Sequence, residues 1–182
     1  MCQCKTFEDG IDLVVVELRK VISQFTESLP CERSLHLEVF ALLDIMRKEK
    51  ESQEDPAMWQ KLMVDGVYML LQKSTPETFK ESLDKVLADL KTLMVGKQKD
   101  YGHLNITSFG KYGVLVRVSD KVARIQNLRL RGVTPENESV PDSWEDLVNY
   151  SIIWMMLDKN VFTLPLADNL FAAEKMMGQY PN

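Results

Sequence analysis

The sequence predicts an all-α protein, a helical bundle, from three observations. Apolar residues recur at the three- and four-residue spacing of a helix in segment after segment. The 182 residues include 10 Met against only 8 Gly and 7 Pro, which favours helices over a sandwich or barrel. No segment shows a convincing strand alternation, and no internal repeat is present. With 45% apolar and 27% charged residues, the composition is that of a globular protein and excludes collagen-like and wholly disordered classes.

Three helices are predicted in the N-terminal part of the chain, at about 7–28, 31–51 and 57–72. Pro30 separates the first from the second, and Pro56 follows the polar string that ends the second. The β-branched residues around Val14 leave a strand possible over the first half of the first segment, but its length and spacing favour a helix.

Four further helices are predicted after Ser74. Ser74-Thr75-Pro76-Glu77 is a helix start signal, and that helix is expected to end near Asp100, with Gly102 in a left-handed closing conformation. A loop at 101–112, a helix at 113–131, an exposed connection at 132–141, a helix at 144–158 capped by Asp142-Ser143 and a tail helix at 167–177 follow. The predicted division is an N-terminal helical region, 1–74, and a helical domain, 75–182, that carries the chemistry.

Charge, cysteine count and hydropathy exclude several classes of protein. The formal charge of −5, from 22 basic and 27 acidic residues, argues against a nucleic-acid partner. Cys2, Cys4 and Cys31 are an odd set that suits neither a disulfide framework nor, with only two His, a zinc site. No secretory pattern and no stretch of the roughly 20 apolar residues needed to span a bilayer is present. A cytoplasmic protein without a membrane partner is expected.

Basic residues concentrate between Lys97 and Arg131, where eight Lys and Arg stand against two Asp, while the chain as a whole is acidic. Arg and Lys supply the donors that phosphate oxygens need, so phosphate binding is one explanation. A solvated helix face is the alternative.

Two polar stripes sharpen this interpretation. Arg117, Asp120, Lys121 and Arg124 share one face of a helix, and Asp142, Asp146 and Asn149 share one face of the next. If the two helices pack antiparallel, the carboxylates face the cations. Such oxygen ligands suit Mg²⁺ together with substrate phosphates. A structural network of ion pairs explains the same spacing without a function.

Three ordered motifs carry a resemblance to a known family. They are Lys97-Gln98-Lys99-Asp100-Tyr101-Gly102, Arg117-Val118-Ser119-Asp120-Lys121-Val122-Ala123-Arg124 and Asp146-Leu147-Val148-Asn149-Tyr150. Together, over about residues 90–156, they resemble the nucleotide-modification-associated domain family of phages and bacteria. The resemblance implies a role in nucleotide metabolism, in the host cytoplasm if the protein is phage-encoded.

The family's layout is in turn similar to the all-α nucleotide pyrophosphatases of the MazG and dUTPase kind, which hold Mg²⁺ between helices. By that analogy a homo-oligomer is expected. The sequence departs from the MazG pattern, because Asp120 stands in place of a carboxylate pair and Asp146-x-x-Asn149 in place of Glu-x-x-Asp. Fewer carboxylates weaken the case for multi-metal hydrolysis more than the case for nucleotide binding.

Two functions from different classes follow. The first is a Mg²⁺-dependent nucleotide hydrolase or modification enzyme, for example one like a nucleoside triphosphate pyrophosphohydrolase. In it Asp120 and Asp146 are catalytic, and Asp120, Asp142 and Asp146 hold the metal. The second is a module that senses or sequesters a nucleotide, for example in host defence signalling. The nucleotide-binding residues predicted for both are Lys99, Asp100, Tyr101, Arg117, Lys121, Arg124, Asn149 and Tyr150. A helical adaptor that dimerises is a third option.

Overall fold

The computed structural model describes residues 4–23, 29–72 and 78–169, which form helices without any strand. The all-α prediction is therefore confirmed. The helices are α1 (Phe7–Ser23), α2 (Glu32–Lys48), α3 (Lys50–Gln53), α4 (Pro56–Leu71), α5 (Phe79–Tyr101), α6 (Leu104–Thr107), α7 (Gly110–Arg131) and α8 (Val140–Asp158). None of these helices is long and apolar enough to cross a membrane.

Helices α4 and α8 form the centre of the bundle. Both are apolar on nearly every face, as buried helices are, and they pack against each other, with α2 on α4, α7 on α8, and α1 against both. Gly66 lets the two central helices approach closely, because a Cβ at this position would lie 2.6 Å from Val148 Cγ2 and 3.0 Å from Leu147 Cδ2. Trp59 and Trp154 stack between α4 and α8, with ring centroids 5.1 Å apart.

One apolar core joins residues on both sides of position 74, from Phe7 and Trp59 to Val118 and Trp154. The predicted division into 1–74 and 75–182 stays a prediction. Met155 and Met156 lie in this core, whereas Leu13 and Val16 are exposed on α1.

The structure corrects two local predictions. The stretch 101–112 is not a loop, because it contains the single turn α6 and the start of α7 at Gly110. Asp142-Ser143 does not cap α8. Ser139 does so, in a reciprocal capping box in which Ser139 Oγ accepts from the Asp142 N–H and Asp142 accepts from the Ser139 N–H. Pro141 is tolerated in this first turn, since a backbone N–H there has no partner inside the helix.

Helix α5 begins after Thr78, whose side chain forms a capping box with Glu81. The predicted start signal at 74–77 lies outside the described residues, as does most of the predicted tail helix at 167–177. Helix α5 ends at Tyr101, and Gly102 follows with a positive φ of 63°, a backbone conformation that residues other than glycine rarely adopt. This turn places Tyr101 and α6 beside the start of α7.

Candidate functional site

Helices α7 and α8 pack antiparallel, as the two polar stripes predicted. Lys121 Nζ on α7 lies 2.7 Å from Asp146 Oδ2 on α8. One turn further along α7, Arg124 donates to Ser143 Oγ, which lies nearly one turn earlier on α8. The contacts thus run in opposite directions along the two helices, and the basic stripe lies beside Asp146.

Asp146 is paired with two lysines from two different helices. Lys97 on α5 donates to Oδ1 and Lys121 on α7 to Oδ2, while the carboxylate side chain is only 11% exposed. Burial is the largest influence on the pKa of Asp146 and would raise it, but the hydrogen bonds from Lys121 and Lys97 together hold that pKa below its ordinary value. Asp146 is therefore ionised at neutral pH.

The same pairing acts on Lys121. Burial opposes its charged form, yet hydrogen bonds to Asp146 and to Glu138 raise the pKa of Lys121 above its ordinary value. Glu138 Oε2 lies 3.2 Å from Nζ on the exposed side. Lys97, Asp146 and Lys121 thus form one charged bridge that connects α5, α8 and α7.

A cavity of about 380 Å³ opens beside this bridge. Its walls come from the end of α5, from α6, α7 and α8, and from two phenylalanines at the start of α1 and after α8. The lining residues are Phe7, Met94, Lys97, Gln98, Tyr101, Gly102, Asn105, Ile106, Arg117, Asp146, Asn149, Tyr150, Ile153 and Phe162. Apolar walls with a few polar groups are typical of a small-molecule site.

The apolar floor of the cavity depends on residues far from the motifs. Phe7 and Phe162 meet edge to face, with ring centroids 5.7 Å apart. The segment after α8 is held there because the Phe7 N–H donates to Pro165 O at 2.8 Å and the Ala167 N–H donates to Glu8 Oε2 at 3.0 Å. The start of α1 therefore contributes to a site that sequence motifs place entirely in the second half of the chain.

Asn149 is the unusual polar residue of the lining. It is 4% exposed, and neither its Nδ2 nor its Oδ1 has a hydrogen-bond partner among the residues that the structure describes. Buried polar groups in native proteins are nearly always paired, and an unpaired one costs about 1–3 kcal/mol. A buried amide without a partner at the wall of a cavity fits a ligand that supplies both a donor and an acceptor.

Arg117 is the cavity-lining cation whose guanidinium makes no contact with a charged or polar partner among the described residues. Within the described ranges it has neither an ion-pair nor a hydrogen-bond partner, and it is exposed at the cavity wall. Tyr101, which is 68% exposed, and the half-buried Tyr150 line the same space. A guanidinium and two aromatic rings around one cavity are groups that hold a phosphate and a base.

Five of the predicted site residues line this cavity: Tyr101, Arg117, Asp146, Asn149 and Tyr150. The others lie elsewhere. Lys99 pairs with Asp168 at 2.8 Å, and Asp100 and Asp120 are exposed outside the lining. Lys121 contacts the cavity only through Asp146.

Arg124 stabilises the connection between α7 and α8 by hydrogen bonds. Its guanidinium donates to the carbonyl oxygens of Glu138 and Ser139 as well as to Ser143 Oγ. It lines a second, more open cavity of about 560 Å³ against that connection, together with Arg131 and Asn127. These contacts favour the structural alternative for Arg124 that its spacing had left open.

Ion pairs with acidic residues from other parts of the chain explain most of the basic concentration between Lys97 and Arg131. Lys111, for example, contacts Glu54 at 3.1 Å and Asp158 at 2.8 Å, and its ammonium lies 4.3 Å from the centre of the Trp154 ring. Both predicted explanations therefore apply, to different residues of the same segment.

The carboxylates do not gather into a metal site within the described part of the chain, where no group of three His, Cys, Asp or Glu residues is placed to hold an ion. Asp142 accepts the Ser139 N–H at 2.7 Å on the outside of α8, and Asp146 is occupied by two ammonium groups. This donor set does not fit magnesium, which binds through oxygen ligands. The Mg²⁺ prediction stays a prediction, and no step below depends on it.

Sequence reasoning missed several lining residues. Lys97 stood in a motif but was not assigned to the site, although it lies one helical turn before Tyr101 on α5. Asn105 and Ile106 lay in the stretch expected to be a loop. Phe7 and Phe162 carried no signal, because an apolar residue that lines a cavity cannot be distinguished in sequence from one that fills a core.

The fold is all-α, and it encloses a cavity of about 380 Å³ between α5, α7 and α8. A family model described as nucleotide modification associated domain 1 matches residues 97–157, which contain all three motifs and most of the cavity lining. The residues before 97 lie outside that match. No curated protein and no solved structure matches the chain.

Proposed function

We propose that this protein binds a nucleotide in the cavity between α5, α7 and α8. The observation that carries the proposal is that one cavity holds the Arg117 guanidinium and the buried Asn149 amide, neither of which has a partner among the residues that the structure describes. The first group suits a phosphate, and the second suits a base edge, which presents a donor beside an acceptor. The family description of residues 97–157 supports a nucleotide as the common ligand class.

Each lining group has a role in this proposal. Arg117 receives the phosphate at the open side of the cavity, and Tyr101 or Tyr150 stacks on the base. Lys97 adds positive charge from α5 while it keeps its contact with Asp146. The apolar floor of Met94, Phe7 and Phe162 covers the base or sugar, because apolar contact in a shielded cavity adds affinity.

Binding without bond cleavage agrees best with the state of Asp146. Metal-dependent hydrolysis needs carboxylates that are free to hold the ion or to activate water. Here the lining carboxylate is neutralised by Lys97 and Lys121. We therefore place the sensing or sequestering function ahead of the Mg²⁺-dependent pyrophosphohydrolase. The links to phage metabolism and to MazG-like enzymes rest on the motif resemblance and its analogy alone.

A panel of nucleotides tests the proposal. We expect thermal-shift and calorimetric titration to detect binding for the nucleotides of at least one of the bases in the panel. We expect chromatography of the same mixtures to show that the nucleotide is unchanged, with or without Mg²⁺. Failure of every nucleotide to bind rejects the proposed function. Appearance of a hydrolysed product instead moves the protein to the enzyme class.

A further inference from the structure

We infer that the outer face of α7 is a pairing surface for a second copy of this chain, and that the two α7 helices pack parallel about a two-fold axis. The side chains of this face do not belong to the cavity lining. Association of two copies can therefore be measured without any nucleotide, and its outcome is independent of the proposed function.

The outer face of α7 is apolar, whereas the outer face of a surface helix is normally polar. The inner face already supplies the apolar residues that fill the core. On the opposite side, Tyr112 is 67% exposed, Val116 43% and Leu130 88%. Ala123 is exposed between Val116 and Leu130. Apolar side chains that are exposed together along one face mark an interaction surface.

The spacing of these residues is the spacing of paired helices. Val116, Ala123 and Leu130 recur every seven residues and form one line along α7. Phe109, which is exposed and lies seven residues before Val116, extends this apolar line, and it lies beside Gly113, where a Cβ would be 2.5 Å from Phe109 Cβ. The apolar line is about 32 Å long, at about 1.5 Å per residue. It covers about three heptads, the shortest repeat that indicates helix pairing.

Two opposite charges flank the apolar line. Successive residues of a helix point about 100° apart, so Ser119 and Asp120 lie on either side of Val116. On the Ser119 side, Arg47 of α2 donates to Ser119 Oγ at 3.1 Å and to the Ser119 carbonyl oxygen at 3.2 Å. On the other side Asp120 is exposed, and neither Arg47 nor Asp120 has an ion-pair partner within the described ranges. Each copy therefore carries a cation on one flank and an anion on the other, at nearly the same height.

These charges favour a parallel pair. When the two-fold axis runs along the helices, the Asp120 flank of one copy meets the Arg47 flank of the other, and two equal ion pairs form. An antiparallel pair would bring each flank against its own equivalent, with anion beside anion and cation beside cation. Ion pairs at the rim of an interface add little affinity but fix its register and orientation. The apolar line thus supplies the affinity, and Asp120 with Arg47 supplies the orientation.

Analytical ultracentrifugation of the full chain without nucleotide tests the association, at concentrations from about 1 μM to about 1 mM. We expect the mass to rise with concentration from 20.9 kDa toward twice that value. In Val116→Glu the dissociation constant should increase at least about tenfold, because two like charges would meet in the apolar line. Val16→Glu on α1 changes another exposed valine and should associate as the wild type does. A wild-type chain that stays at 20.9 kDa throughout, or a dimer equally strong in Val116→Glu, overturns the inference.

Exchange of the flanking charges tests the ion pairs. Arg47→Asp and Asp120→Arg should each weaken the dimer, and both changes in one chain should restore it, because the flanks then carry exchanged charges. Circular dichroism identifies a variant that does not fold. If Arg47→Asp does not fold, Asp120→Arg decides. A dimer that is unaffected by these single changes contradicts the parallel arrangement.

A disulfide tests the orientation directly. In a chain with Cys2→Ser, Cys4→Ser and Cys31→Ser, the further change Val116→Cys should give a disulfide between two copies under oxidising conditions. Parallel pairing places the two residues 116 opposite each other, within the short distance that a disulfide requires. Val16→Cys in the same chain is the control and should remain reduced between copies. A dimer that forms without the disulfide at position 116 overturns the parallel arrangement.

Discussion

Lys121 on α7 and Asp146 on α8 form an ion pair, with Nζ 2.7 Å from Oδ2, and the carboxylate's other oxygen accepts from Lys97 on α5. Three helices thus meet at one carboxylate beside the cavity. The pair joins the second and third sequence motifs in space, while Lys97 belongs to the first. This bridge brings residues of three separate sequence motifs together beside one cavity.

Arg117→Ala tests the proposed phosphate contact. We expect nucleotide affinity to fall by about 1.5–3 kcal/mol, the range for a hydrogen bond to a charged group. The melting temperature should change little, because Arg117 makes no ion pair with described residues. Calorimetric titration gives the first value and thermal denaturation the second. Arg131→Ala, an exposed arginine of the same helix outside the cavity, is the control and should bind as the wild type does.

Arg124→Ala should act on stability instead. Its guanidinium holds two carbonyl oxygens of the connection before α8 and the Ser143 hydroxyl. Loss of these bonds should lower the free energy of unfolding by about 1–3 kcal/mol and leave nucleotide affinity within twofold or so of the wild type. Urea denaturation and titration measure the two effects. Lost affinity in a variant of unchanged stability would restore Arg124 to the phosphate site.

Asn149→Leu should separate stability from binding. Leucine has a similar size and removes two buried polar atoms that have no partner among the described residues, so the free energy of unfolding should rise by about 1 kcal/mol or more. Nucleotide binding should be lost, since the base edge no longer has a donor and an acceptor. A drop in stability would mean that the amide is paired in solution, and retained affinity would remove Asn149 from the site.

Gly66→Ala tests the close packing of α4 on α8. The added Cβ would lie 2.6 Å from Val148 Cγ2, so the helices must separate, which we expect to lower the free energy of unfolding by about 1–3 kcal/mol. Gly96→Ala on α5 is the matched control, because its Cβ has no atom within 4 Å. That change should instead stabilise the protein by about 0.5–1 kcal/mol through helix propensity. Chemical denaturation that shows equal effects would contradict the proposed contact.

The pH dependence of stability should carry opposite signs for two neighbouring carboxylates. The pKa of Asp146 is lowered in the folded protein from 3.8, so its stabilising contribution is present above that value and is lost as the pH falls through the lowered pKa. Asp146→Asn should therefore be less stable than the wild type at neutral pH, and the difference should close in acid.

Glu145 should behave in the reverse way. Burial, followed by repulsion from Asp142 and Asp146, raises its pKa above 4.5, so the folded protein gains stability as the pH falls through that raised value. Glu145→Gln should be more stable than the wild type at neutral pH, and this gain should also close in acid. Denaturation curves between about pH 3 and about pH 7, a range that brackets the ordinary carboxyl pKa values, check both variants. Parallel pH dependences for the two variants would refute the assignment.

The spacing of residues along the chain was sufficient to predict the helices and the facing of two polar stripes. Both depend on a period of 3.6 residues that any helix imposes. Helix starts were less certain, because Ser139 and Asp142 are both good capping residues and only their mutual hydrogen bonds identify Ser139 as the cap. The predicted loop failed for a similar reason, since Gly102 and Gly110 bracket a single turn of helix too short to have a period.

The sequence by itself determined the all-α class, the motif residues of α5, α7 and α8 and the excess of positive charge among them. Only the tertiary structure decided how that charge is used. Arg124 fastens a connection, Lys97 and Lys121 neutralise Asp146, and Arg117 alone of the lining cations stays without a partner among the described residues. The physical reason is that an ion pair depends on the distance between side chains of different helices. In the same way, Phe7 lines the cavity because the fold packs the start of α1 against the segment after α8.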